Sequence, residues 1–315
     1  ELGNAIELLG DMVTNSVFLK EEIEKERGVI LAEMKASMDS VEDLSFKRVN
    51  EIAFEKSCLR YDVAGTEKNV KKFTRKDIIS YYEKHYIPNN TLITMVSSLE
   101  HEEALEKIKE NFGHWQSKEL VAVEIFDEQN KAIRKTTYKK NIELSTIMYL
   151  FTFYDLEKDL ELPLRILNHR LGESSNSLLF REIRENKGLA YDIYTNLEVT
   201  KNIKSLYIYT SVADEDIEKT LDAIDEVINK VITKEIKIGQ RDLEIMKKVH
   251  KTAVISTLED SADLCNYILH QELAEDDIFE FIKDMESLNT LNVDKIYNVS
   301  KLVLKNPTIH ILRVK

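Results

Sequence analysis

The chain has 315 residues, 43% hydrophobic and 32% charged, with a net charge of −13, three prolines, eight glycines and two cysteines. That length suits two ordinary domains and that composition a helix-rich globular protein. The acidic balance excludes a general nucleic-acid binder, two distant cysteines exclude a disulfide framework or cysteine zinc site, and the lack of an apolar run of about 18 residues excludes a membrane span.

The chain opens on an amphipathic stretch holding Ile6, Leu9, Met12 and Val13, with no basic region or cleavage signal before it. A reducing, cytoplasmic setting is expected, and the charge is compatible with basic peptide partners. The segment EKERGVILAEM, Glu24 to Met34, follows. Glu26 and Glu33 are seven residues apart, so on a helix their side chains point within about 20° of each other. Beside the apolar run Val29-Ile30-Leu31, such a pair is either a solvated face or one half of a metal site that needs further ligands. Gly28 in this helix costs about 1 kcal/mol relative to Ala and marks a close packing contact. Thr74 and Asp77 form a capping box for a helix that Pro88 stops, and residues 91–96 then read as a strand. His85 and His114 stand at helix C-termini, where partial positive charge is favourable, and are read as structural.

Residues 116–133 are mixed and charged and read as a linker between domains 1–115 and 134–315. Beyond it, strands are expected at 134–140 and 144–154, helices at 162–171 and 177–185, and strands at 191–199 and 205–212. Further helices pass through Leu221 and from Asp294, and a last strand runs over 308–314.

Comparison of the chain with itself shows a repeat. Asp77 to Thr91 matches Asp294 to Thr308 in spacing. Ile23-Glu24 and Asp43-Leu44 match Leu243-Glu244 and Asp263-Leu264, and Ile6, Leu9, Met12 and Val13 match Leu221, Ile224, Val227 and Ile228. Three matches in one order imply two copies of one α/β unit. The second copy carries about 80 residues, with strands, ahead of its Leu221 helix, and the first has no counterpart to them. The chain is therefore expected to be a fragment or a nicked product whose first domain lacks strands it needs.

The seven histidines form no pair three or four apart on a helix, and neither H-E-x-x-H nor H-x-x-E-H occurs. There is no G-x-S-x-G elbow and no phosphate-binding glycine loop. Yet the Glu24–Met34 run, followed by Thr74-Arg-Lys-Asp77 and Tyr86-Ile-Pro88-Asn-Asn, resembles the first domain of the M16 metallopeptidases. Leu171-Gly172 and the run Ser177-Leu-Leu-Phe180-Arg-Glu-Ile-Arg184-Glu-Asn-Lys-Gly188-Leu-Ala-Tyr191-Asp-Ile-Tyr is similar to that family's second-domain motif. The resemblance covers essentially the whole chain and is nearest to short bacterial members of two repeats.

The resemblance implies an α+β protein of two homologous domains, each a mostly antiparallel sheet with helices packed on it, facing each other around a peptide chamber. It implies a zinc-dependent endopeptidase acting on unfolded peptides. An H-x-x-E-H upstream supplies two His ligands and the catalytic Glu, Glu33 matches the distal Zn²⁺ ligand, and Glu26 matches a supporting carboxylate. Arg184 and Tyr191 match the pair that reaches the substrate backbone, as a fork of donors and a hydroxyl able to donate to a developing oxyanion. The second copy has Met246 and Ala253 where the first has Glu26 and Glu33. Without H-x-x-E-H, this chain by itself is expected neither to bind zinc usefully nor to hydrolyse peptides. A homologous subunit, as in a dimer, or the upstream segment are the implied partners. Two alternatives stay open: a non-catalytic M16-like partner subunit that binds peptide, and a scaffold on which Glu26, Glu33 and Arg184 are ordinary surface residues.

Overall fold

The structure is a computed structural model that describes residues 2–120 and 123–315. Glu1, where the expected first domain starts, and residues 121–122 of the expected linker lie outside the described residues. In chain order the elements are α1 (Leu2–Thr14), α2 (Lys20–Asp39), α3 (Val41–Ala53), α4 (Glu67–Val70), α5 (Arg75–His85), α6 (His101–Phe112), β1 (Arg134–Lys139), β2 (Ser145–Thr152), α7 (Glu161–Asn168), β3 (Ala190–Val199), β4 (Lys204–Val212), α8 (Ile217–Ile232), α9 (Gln240–Glu259), α10 (Ser261–Ala274), α11 (Glu280–Thr290), α12 (Val293–Val303) and β5 (Thr308–Val314). The repeat is visible in the helices: α9 and α10 start 220 residues after α2 and α3, and α12 follows α5 at nearly the same offset.

Two compact units emerge. The first comprises the chain up to Ala36, Val63–Glu124 and Asp260–Leu269; the second comprises Ser37–Asp62, Ile125–Glu259 and His270–Lys315. One crossing falls within 116–133, but the others do not. Each unit takes a helical piece from the other repeat, which a division of the chain at a single linker does not express.

In the first unit α1 rests on α6, with Ile6 buried and Gly10 placed so that a Cβ would lie 3.3 Å from Asn111 Cβ. The turn between α1 and α2 is tied to α5. Arg75 donates to the carbonyls of Val17 (3.0 Å) and Phe18 (2.8 Å), and Tyr82 Oη donates to Val13 O at 2.7 Å. The capping box is present: Thr74 Oγ1 accepts from Asp77 N–H while the Asp77 carboxylate accepts from Thr74 N–H at 2.8 Å. The strand expected at 91–96 is absent. Leu92 and Ile93 are exposed, and no described segment pairs with residues 91–96. A strand exists only through its ladder, so side-chain alternation alone could not produce one. All five described strands lie in the second unit.

There they form one mixed sheet, β1-β5-β2-β4-β3, antiparallel except for the β1–β5 pair. Period-two alternation divides β2 and β4 between two apolar layers. Ile147, Tyr149, Phe151, Leu206 and Ile208 share the main core with residues of α7, α8 and α12. Met148, Leu150, Tyr207 and Tyr209 meet Val49, Ala53 and Phe54, at and just after α3. Burial on both faces explains why these strands read as near-continuous apolar runs. Polar links pin α3 there: Ser45 Oγ and Thr146 Oγ1 are 2.6 Å apart, and Tyr207 Oη donates to Asn50 Oδ1 at 3.0 Å.

The helices expected at 162–171 and 177–185 form with a modification. α7 runs on into a π-helical turn over His169–Glu173, and Phe180–Asn186 is also π-helical. Lys187 N–H donates to Glu182 O at 3.2 Å, five residues back, and Leu189 N–H to Ile183 O at 3.0 Å. Gly188 follows at φ +64°, the left-handed conformation that lets a helix end and turn into β3 at no Cβ cost.

Candidate functional site

Glu26 and Glu33 lie on α2, a helix with no fully buried residue. Ile23, Ile30, Leu31 and Met34 form its half-buried stripe, and the two carboxylates sit together roughly 80° around the helix from it. Both are exposed, and neither has a hydrogen bond or ion pair among the described residues. Arg27 anchors the helix beside them. It pairs with Glu24 at 3.2 Å and donates to Phe73 O at 2.7 Å and to Val70 O. The expectation that Gly28 marks a close contact is overturned, because a Cβ there would meet nothing within 4 Å. Gly28→Ala therefore removes a backbone-entropy cost without a clash. It is expected to raise stability by about 1 kcal/mol, read as a higher urea midpoint.

Arg184 and Tyr191 belong to the second unit, on either side of the left-handed Gly188. Arg184 is exposed on the π-helical segment, with its Cζ 4.8 Å from the centre of the Phe180 ring and no acceptor for its guanidinium among the described residues. Tyr191 is 73% exposed. The β3–β4 register steps irregularly between Ala190 and Asp192, so Tyr191 drops out of the ladder. A bulge of this kind re-aims a side chain. It could not be read from a sequence in which Tyr191 looks like any other strand residue.

The second repeat has no acidic pair to match α2. Met246 on α9 is buried in the main core, and Ala253 carries no donor. A different polar cluster, marked by no motif in the sequence, lies between the His169–Glu173 turn and α9. His169 Nδ1 is 2.5 Å from Glu173 Oε2, which also accepts from Asn168 Nδ2 at 3.1 Å. The His250 ring lies 5.8 Å from that of His169, and its Nε2 is buried without a partner among the described residues. The hydrogen bond from His169 holds the Glu173 carboxyl below its ordinary range, while burial pushes His250 down to about 4.

Zn²⁺ requires about four donors, three of them from protein even in an open catalytic site. No group of three or more His, Cys, Asp or Glu side chains is arranged to hold a metal ion among the described residues. Two carboxylates on one open helix face therefore do not make a zinc site by themselves. No described helix is long and apolar enough to cross a membrane.

The pattern described as "Insulinase (Peptidase family M16)" matches residues 1–67, and "Peptidase M16 inactive domain" matches residues 72–249. An uncharacterized zinc protease of Bacillus subtilis is 23% identical over 297 residues, covering 94% of this chain and 71% of that protein. Another from Rickettsia felis is 26% identical, covering 73% of this chain and 55% of its own length. The beta subunit of bovine mitochondrial-processing peptidase is 33% identical over 113 residues, 36% of this chain and 23% of that one. Among solved structures, a protease from Helicobacter pylori superposes with a TM-score of 0.89 at 19% identity, over 99% of this chain and 76% of that chain. The matched segments thus span between about a quarter and three quarters of these proteins.

Proposed function

This chain belongs to the M16 peptidase family, and from that premise we propose that the protein acts as a zinc-dependent endopeptidase on unfolded peptides. In this reading Glu33 supplies one donor to Zn²⁺, Glu26 orients the site from behind, and the remaining donors come from outside the described residues. Arg184 and Tyr191 hold the peptide: the guanidinium takes backbone carbonyls or a carboxylate, and the tyrosine hydroxyl donates a second hydrogen bond. The observation that carries the reading is the state of that pair. Both side chains are exposed and have no protein hydrogen-bond partner among the described residues, and both are held by special backbone, a π-helical segment and a β-bulge. Irregular backbone of these kinds recurs at functional sites.

The phrase "inactive domain" in the match over residues 72–249 favours a second reading, a peptide-binding subunit without its own chemistry. The retained Glu33 counts against it, since a partner needs no metal ligand. The test compares metal content and cleavage of an unstructured peptide for the protein as its gene encodes it, Glu33→Gln and Arg184→Ala. We expect about one zinc per chain, loss of zinc and cleavage in Glu33→Gln, and roughly tenfold weaker peptide handling in Arg184→Ala with zinc retained. Peptide binding with neither zinc nor cleavage would establish the partner-subunit reading instead.

A further inference from the structure

We infer that Phe180 is a positioning residue that holds the Arg184 guanidinium in place for a peptide ligand. The inference rests on the reading of Arg184 as a substrate contact. An arginine side chain has several rotatable bonds, so an exposed one samples many rotamers and loses that freedom on binding. An arginine fixed by a bidentate carboxylate spends on it the donors a ligand would use. Arg184 is fixed differently. Its Cζ stands 4.8 Å from the Phe180 ring centre, and no acidic side chain pairs with it among the described residues. The nearby carboxylate of Glu182 is engaged elsewhere: it accepts from Asn186 Nδ2 at 3.0 Å and lies 3.7 Å from Lys187 Nζ.

A cation over an aromatic face is attracted by the ring quadrupole, while the in-plane N–H donors remain free. Phe180 can serve as this platform because it is itself immobilised, half-buried and packed against the main core. The lost freedom of Arg184 is thus partly spent before the peptide arrives. The ligand class follows from the free fork: an acceptor able to take two parallel N–H groups, either a peptide carbonyl pair or a carboxylate.

The test measures anisotropy of a fluorescein-labelled unstructured peptide on the protein as its gene encodes it, kept metal-free with a chelator so that the peptide stays intact, with the δ-proton shifts of Arg184 read by NMR. Phe180→Leu keeps apolar packing and removes the ring face, whereas Phe180→Tyr keeps both. Phe180→Leu is expected to raise Kd by about two- to fivefold and to abolish the upfield ring-current shift of Arg184. Phe180→Tyr should preserve both values. In an Arg184→Ala background, Phe180→Leu should change Kd no further. Equal weakening by Phe180→Leu with and without Arg184 would mean a merely structural role and overturn the inference. So would an unchanged Kd in Phe180→Leu where Arg184→Ala weakens binding. If Arg184→Ala itself leaves Kd unchanged, the substrate-contact reading fails and the inference with it, whatever the NMR shift shows.

Discussion

Acidification from pH 7 to pH 4 is expected to remove several kcal/mol of stability from the sheet-bearing unit. Two histidines account for it. His310, at the centre of β5, is fully buried, and His250, on α9, is 7% exposed. Burial pushes both down to about 4 from the ordinary 6.5. The charges facing His310 are Arg48 and Lys135, both unfavourable to a second cation. Around His250, His169 and Arg165 oppose protonation and only Glu173 favours it. Each ring also has a buried nitrogen without a partner among the described residues, Nδ1 of His310 and Nε2 of His250, so no acceptor among them waits for a second proton. The other nitrogen of His310, Nε2, is 2.9 Å from Thr137 Oγ1.

The unfolded chain therefore takes up these protons near pH 6.5 and the folded chain only near pH 4. Between those values the unfolded state binds more protons, so stability is full above about pH 6.5 and falls as the pH drops towards 4. Each residue contributes at most about 3 kcal/mol at the limit. Asp225 and Asp284, whose carboxyls burial holds above their ordinary range, act in the opposite sense and offset part of the loss. Urea titrations at pH 7, 5.5 and 4 measure the effect. His250→Leu and His310→Leu should each flatten the slope between pH 4 and 6.5. An unchanged slope in the double variant would assign the acid sensitivity to other groups.

Gly172→Ala is expected to destabilise the same unit by about 3 kcal/mol, the opposite sign to Gly28→Ala although both glycines lie in helical backbone. A Cβ at Gly172 would stand 2.4 Å from Thr195 Cγ2, 2.7 Å from its Oγ1 and 2.9 Å from its Cβ. Thr195 is 6% exposed on β3, paired with Ile208 of β4, and its short branched side chain has no room to retreat. The π-helical turn over His169–Glu173 would have to lift off the sheet. Thr195→Ala removes the two nearest atoms, so the double variant should be more stable than the sum of the single effects by at least about 1 kcal/mol. Simple additivity in a urea double-mutant cycle would contradict this packing account.

These two glycines show what could be read from residues alone. Gly28 and Gly172 each break the helical preference of their surroundings, and the sequence cannot say which one meets a neighbour. Helix and strand positions were largely legible because period and capping are local: the Thr74–Asp77 box, the stop near Pro88 and the strands β1 to β5 follow from residues within a few positions of one another. Residues 91–96 carry the same local signal and form no strand, because pairing is a property of two segments. The geometry of the candidate site was legible to a similar extent. Glu26 and Glu33 share a face by helical arithmetic, but the exposure of Tyr191 depends on the register of β3 against β4, and the stacking of Arg184 on Phe180 depends on a π-helical segment.

The amino-acid order by itself determined the duplicated unit, the two helices 220 residues apart and the family, since these depend on spacing and residue pattern. The tertiary structure alone decided which repeat each helix serves. α3 carries Ser45 to Thr146 in the sheet of the second unit, and at the same 220-residue offset Cys265 of α10 lies with its Sγ 3.3 Å from Thr94 Oγ1 in the first unit. The physical reason is that an apolar helix face specifies that it must be buried, not against what. The partner is chosen by whichever sheet or extended segment the folded chain brings within contact.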